Sequence, residues 1–379
     1  MPEAAIVTAV RTPVGRAPRG SLRRVRPDDL AALVLGAALR RTPGLEASMV
    51  DDVVIGCAFP EAEQGLNLGR LAALGAGLPA SVPGATVNRF CASGLEAVAI
   101  AAQRIRTGEA DVVLAGGVES MSRVPPVGYR PSPNPEWARS HPEYYIGMGH
   151  TAEEVARRFA VSREAQDAYA LESHRRAAAA WDSGRFAAET VAVDLPDGRL
   201  DADEGVRRDT SAARLAALRP AFSQDGTVTA GNASQTSDGA AAVVLMRDDL
   251  AASLGLSPLA LVRAYAVAGV DPEIMGIGPV EAVPRALRRA GWRLDDVDLI
   301  ELNEAFASQT LAVIDRLGLD RERVNVNGGA IAIGHPLGAT GARLTATLVH
   351  EMARRRARRG MVTLCIGGGM GAAALFERP

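Results

Sequence analysis

Short apolar runs alternate with longer stretches of helical spacing along most of this chain. Residues 4–10, 51–56, 85–90, 111–117 and 239–246 read as strands, as do 259–268, 295–300 and 361–367. After residue 91 the apolar positions fall at Leu95, Val98, Ala102 and Ile105, the spacing of a helix that Gly108 stops. A second helix runs from about Gly338 with Leu344, Leu348 and Met352 on one face. Its closing run, Arg354-Arg355-Arg356-Ala357-Arg358-Arg359, places cations where a helix dipole favours them and is read as that, not as a nucleic-acid patch.

The order strand, helix, strand, helix, strand recurs at a shift of about 245 residues, far too long for a solenoid repeat. Asp51-Asp52-Val53 answers Asp295-Asp296-Val297, and Val87-Asn88 answers Val326-Asn327. This predicts a duplicated α/β fold, two mixed sheets with helices in a layered αβαβα arrangement. Residues 1–118 and 232–253 form the first half and 254–379 the second. Residues 119–231 break the pattern. They hold an irregular Pro-rich stretch from Val124 to Pro142, then helices over 151–158 and 162–184, and are expected to form an inserted loop domain.

Composition narrows the classes. At 47% hydrophobic and 23% charged, with a formal net charge of -2, the 379-residue chain reads as globular. It carries no overall basic field for nucleic acid or a membrane surface. Lys is absent, and all 42 basic residues are Arg. An anionic ligand must therefore be met by Arg or by backbone N–H groups. Three Cys make no disulfide framework, and no signal peptide or spanning segment stands out, so the cytoplasm is expected.

The chemistry begins at Cys91. A lone thiol between a strand and the first turn of a helix meets unpaired N–H groups and the positive end of the dipole. Its pKa is expected to fall from about 8.5 towards neutrality. Far along the chain stand Gly334-His335-Pro336 and Cys365-Ile366-Gly367-Gly368-Gly369. The triple Gly is expected to keep side chains away from a closely approaching ligand. His141, His150, His174 and His350 show no metal-ligand spacing, and no metal is expected.

Five segments in order, Val87-Asn88-Arg89-Phe90-Cys91-Ala92-Ser93-Gly94, Gly231-Asn232-Ala233-Ser234, Asn303-Glu304-Ala305-Phe306-Ala307, the run from Gly328 to Pro336 and that from Cys365 to Gly371, resemble the thiolase family. The resemblance covers essentially the whole chain. It implies ping-pong acyl transfer through a thioester on Cys91, with CoA and acyl-CoA as substrates and no permanently bound cofactor. His335 matches the base and Cys365 the acid/base for the α-carbon. Asn303 matches the holder of an enolate-stabilising water. The N–H groups of Cys91 and Gly367 match an oxyanion hole. Ser234 matches a pantetheine contact, Phe222 and Phe306 apolar walls beside the CoA arm, and Met148 and Met275 the acyl pocket. Arg207 aligns with an Arg near the CoA phosphates, and Arg208 could replace it.

Gly147 before Met148, where biosynthetic relatives tend to carry His, and the Pro-rich segment look more like degradative 3-ketoacyl-CoA thiolases. Acetoacetyl-CoA synthesis and 3-oxoadipyl-CoA cleavage are the other readings. A homodimer or dimer of dimers is expected, with a hydratase/dehydrogenase of β-oxidation as a candidate partner. A decarboxylating condensing enzyme would pair its Cys with two His. A non-catalytic CoA binder should have lost Cys91, His335 or the Asn303 segment.

Overall fold

The structure, a computed structural model, describes residues 2–379. The first half builds β1 (Ala4–Arg11), β2 (Gly15–Arg16), α1 (Pro27–Arg40), β3 (Asp52–Gly56), α2 (Leu68–Gly75), β4 (Gly84–Val87), α3 (Ser93–Thr107) and β5 (Val112–Ser120). The intervening stretch carries α4 (Pro135–Ser140), α5 (Met148–Arg158), α6 (Arg163–Asp182), the hairpin β6 (Val193–Leu195) and β7 (Gly198–Leu200), and α7 (Ala212–Ala216). Then come β8 (Ser237–Arg247), α8 (Asp248–Ser253), β9 (Ala260–Gly269), α9 (Gly278–Ala290), β10 (Leu299–Leu302), α10 (Ala307–Leu317), α11 (Ala330–Ile333), α12 (Leu337–Arg355), β11 (Arg359–Ile366) and β12 (Met370–Glu377).

The strand order is β10-β11-β12-β9-β1-β8-β5-β3-β4, with β2 added on β8. The two halves of this order match strand for strand. β5 runs parallel to β3 and antiparallel to β8, as β11 runs parallel to β10 and antiparallel to β12. A parallel bridge from Ile300 to Val324 takes the place that β4 holds beside β3. Two sheets were expected. They are present as halves of one ten-stranded sheet, because the edges β1 and β9 pair through Ala5↔Leu261 and Ile6↔Ala260. An edge strand presents unpaired N–H and C=O groups, and this short pairing satisfies them.

Helices α3 and α12 lie between the halves. Their apolar faces (Leu95, Val98 and Ile105; Leu344, Leu348 and Met352) share one core with Val54, Ala115 and Val243 of the first half and Val362 and Ile366 of the second. Outside, α1 and α2 cover the first half, and α9 and α10 cover the second. This gives five layers of helix and sheet. The two central helices touch backbone to backbone: a Cβ on Gly94 would stand 2.8 Å from Ala342 N and Gly338 O.

The intervening stretch is tied down by a buried cation. Arg11 at the end of β1 meets Glu189 at 2.6 Å and Asp203 at 2.7 Å, with its guanidinium 5.0 Å from the Phe186 ring centroid. The Pro-rich run, expected to be irregular, includes the short α4, because Asn134 accepts from Glu136 N and Trp137 N and so caps it.

Candidate active site

The strand expected over 85–90 stops at Val87, and the reason lies in the side chains that follow. Asn88 Oδ1 accepts from Phe90 N at 2.8 Å, and its Nδ2 donates to Ala58 O at 2.9 Å. Ser93 Oγ accepts from Arg89 N at 2.9 Å and donates to Phe90 O at 2.6 Å. Phe90 is held at φ 43, a left-handed conformation that costs on the order of 1 kcal/mol for a residue with a Cβ. The strained turn delivers Cys91 on a 3-10 turn (Phe90–Ala92) that runs directly into α3.

Cys91 is 9% exposed, so its sulfur faces a nearly closed space. The backbone N–H groups of Gly367 and of Cys91 itself point at it. Burial outweighs those donors and pushes the thiol up to about 11. The expected fall towards neutrality is therefore corrected: the helix start is present, but desolvation of the thiolate is the larger effect. Cys365 is also buried, and its thiol is pushed up, first by burial and then by the charge of Cys91, which places the two sulfurs in one site.

Between Cys365 and the strand β12, Gly368 and Gly369 both have φ 81, and a Cβ on Gly369 would collide with the Val270 carbonyl. These two glycines answer to the path of the chain. Only Gly367 faces the site, where a Cβ would stand 3.3 Å from Met148 Sδ.

β10 pairs with β11, which brings Asn303 N to Thr363 O at 3.0 Å and sets Asn303 beside the end that carries Cys365. Asn303 Nδ2 lies 3.3 Å from His335 Nε2. The Thr340 hydroxyl donates to Pro336 O at 2.9 Å, so its oxygen is left to accept from His335 Nδ1 at 2.6 Å. That assigns the proton to Nδ1 and leaves Nε2 as the basic nitrogen. Ser237 Oγ accepts from His335 N at 3.0 Å and fixes the turn. Burial, and then the cation Arg343, lower His335 to about 3, so the imidazole is neutral at pH 7.

Around Cys365 lie Met148, Met275 and Phe306 in one apolar cluster with Ala152, Val228, Ala233 and Ala305. Phe222, 39% exposed, packs edge-on against Phe306 at 6.1 Å. Ser234 N donates to Ala305 O at 2.9 Å, which docks the Gly231–Ser234 loop against the Asn303 segment. Arg207 is half-buried; its backbone N–H donates to His174 Nδ1 at 3.1 Å, and its guanidinium is lowered by burial and by Arg16. Two cations thus share a neighbourhood. Arg208 is spent on an exposed pair with Asp182 at 2.8 Å.

Sequence reasoning missed several supports. Glu119 is fully buried and accepts from Ala58 N, Phe59 N, Gly338 N and Gln64 Nε2, joining β3, β5 and the start of α12. A lone carboxylate inside an apolar strand was the available signal. Thr340 and Ser237 gave none, because a hydroxyl's role depends on what the fold brings near it. Among the described residues no group of three or more His, Cys, Asp or Glu could hold a metal, and no helix is long and apolar enough to cross a membrane.

Family models described as "Thiolase, N-terminal domain" and "Thiolase, C-terminal domain" match residues 4–249 and 256–378. The chain is 56% identical to a 3-ketoacyl-CoA thiolase of Bacillus subtilis (strain 168), covering 100% of each. It is 48% identical to an acetyl-CoA acetyltransferase of Chromobacterium violaceum, again over 100% of each. Among solved structures, the Bacillus anthracis acetyl-CoA acetyltransferase matches with TM-score 0.92 at 43% identity, covering 100% of this chain and 99% of that one.

Proposed function

The chain belongs to the thiolase family, and from that premise we propose that it cleaves 3-ketoacyl-CoA with CoA, giving acetyl-CoA and a shortened acyl-CoA. The observation that carries this reading is the meeting of two buried thiols with the Gly367 N–H aimed at Cys91. His335 Nε2 takes the Cys91 proton as the sulfur bonds to the keto carbon. The C–C bond then breaks, and its electron pair is left on the acetyl-CoA α-carbon as an enolate. Cys365 gives that carbon its proton, and acetyl-CoA leaves an acyl group on Cys91.

CoA then enters. Its thiol proton restores Cys365, its sulfur takes the acyl group, and the departing Cys91 sulfur recovers its proton from His335. Both thiols and the imidazole start neutral, so proton transfer accompanies attack instead of preceding it. The N–H groups of Cys91 and Gly367 then serve the tetrahedral oxygen, and Asn303 with His335 the enolate. Each such donor is worth about 3 kcal/mol in the transition state.

Met148, Met275 and Phe306 line the acyl end, Phe222 and Ser234 flank the pantetheine arm, and Arg207 meets a CoA phosphate. Gly147 ahead of Met148 supports a degradative enzyme of broad chain length. The same groups run the chemistry backwards, in keeping with the acetyltransferase names of some relatives. A second copy of the chain fits the half-buried edge β4, which the exposed Leu66, Leu71, Leu74 and Phe90 adjoin in sequence; a homodimer in sedimentation is expected. Three free cysteines suit a reducing cytoplasm.

The test is mass spectrometry after mixing with acetyl-CoA, followed by thiolysis assays across chain lengths. A one-acetyl adduct that Cys91→Ala abolishes is expected, with cleavage of substrates longer than four carbons. An adduct that survives Cys91→Ala would refute the nucleophile, and activity confined to the four-carbon substrate would refute the degradative reading.

A further inference from the structure

Behind the reacting imidazole lie a buried arginine and a buried glutamate that the reaction itself does not use. Ile300 and Leu302 of β10 face the outer core, so Glu301 and Asn303, alternating with them, face the inner side. On α12, Thr340, Arg343 and Thr347 are spaced three and four residues apart and share one face. One rung of this arrangement is Asn303 with His335 and Thr340. The next is Glu301 with Arg343, and the one beyond is Thr347, whose hydroxyl donates to Glu189 at 2.9 Å.

Arg343 is 1% exposed, and its Nε, Nη1 and Nη2 have no hydrogen-bond partner among the described residues; neither has Glu301 Oε2. No direct ion pair joins them, whereas Arg11 nearby is fully matched to Glu189 and Asp203. A buried guanidinium left with bare donors is strongly unfavourable. Interior sites with this many polar groups are filled by ordered water.

We propose that Arg343 and Glu301 form a water-bridged polar pair that locks α12 to β10 and acts as a positioning device for His335 and Asn303. The bridge fixes the distance between the two elements at which Asn303 reaches Nε2, and the cation opposes an imidazolium behind it. This rests on the thiolase reading, since it concerns that base. The ionisable groups facing Arg343 are Glu301 from β10, which burial raises to about 8, Arg11 from β1, and Glu189 and Asp203 from the intervening stretch. The stretch's carboxylates are already matched to Arg11, which leaves Glu301 for Arg343. His335 is lowered by Arg343, in the sense this geometry requires.

The test uses the full chain with Arg343→Met, Arg343→Lys and Glu301→Gln. Expected for Arg343→Met is a kcat loss of roughly tenfold with KM nearly unchanged, and an acid limb of kcat/KM moved up by about one pH unit, the effect of removing a nearby charge. Arg343→Lys should recover much of both. Glu301→Gln should move the limb down or leave it, never up. An unmoved limb in Arg343→Met, or one that rises equally in Glu301→Gln, overturns the proposal. If a variant fails to fold, a high-resolution crystal structure of the native protein decides: water within hydrogen-bond distance of Arg343 Nη atoms and Glu301 supports it, and a dry gap refutes it. Wild-type chain lacking thiolysis would instead refute the function, a separate outcome from a native enzyme whose limb ignores residue 343.

Discussion

At the scale of single residues, burial and hydrogen bonding compete for every reactive group, and burial wins at three of them. The Cys91 thiol receives two N–H groups yet stays up at about 11. His335 is lowered to about 3, and the Cys365 thiol is raised. Iodoacetamide should therefore alkylate Cys91 in the free protein about tenfold faster per pH unit between pH 7 and 9, following the thiolate fraction. A plateau by pH 8 would mean the helix start dominates after all. Cys365→Ala should lower cleavage at least about a thousandfold while acyl exchange on Cys91 persists within tenfold, because only cleavage needs the α-carbon proton. Equal loss of both would merge the two roles. The types and places of Cys91, His335 and Cys365 were legible because such residues are rare and stand in or beside Gly-bearing turns. Their ionisation was not, since it depends on solvent exclusion by layers distant in sequence.

At the scale of elements, position is set by glycine where two helices meet. A Cβ on Gly341 would run into Leu95 N, in the first turns of α3, just beyond Cys91. Backbone cannot yield as a side-chain tip can. Gly341→Val should cost about 3 kcal/mol or more in denaturation, and the acetyl adduct on Cys91 should fall with it. Unchanged stability and acylation would show that α3 and α12 do not hold the nucleophile. Helix spacing in α3 and α12 was readable from Leu95 to Ile105 and Leu344 to Met352. The early end of β4 was not, because the Asn88 side chain that turns back on Phe90 also donates to Ala58, a partner distant in sequence.

At the scale of the whole molecule, two neutral histidines are enclosed by packing. His174 is lowered to about 4 by burial and then by Arg207, and His335 to about 3. Each has a folded pKa below its unfolded value near 6.5, so the unfolded chain binds more protons as pH falls. Stability is present above pH 6.5 and is lost towards the folded values, at up to about 1.4 kcal/mol per pH unit for each. Glu301, raised to about 8 by burial, acts oppositely: its contribution is full below its unfolded value near 4.5 and is lost as pH rises from there through about 8. His174→Asn should narrow the gap between the melting midpoints at pH 7 and pH 5 by about 1–3 °C. No narrowing would place His174 in solvent. The duplicated order of strands and helices and the five family segments were written in local pattern, because apolar spacing and turn residues act over a few positions. The fusion of β1 to β9, the neutrality of the site and the Arg343–Glu301 rung depend on contacts between residues tens to hundreds of positions apart. Local pattern specifies which faces must be buried; only the closed fold determines which buried polar groups then meet.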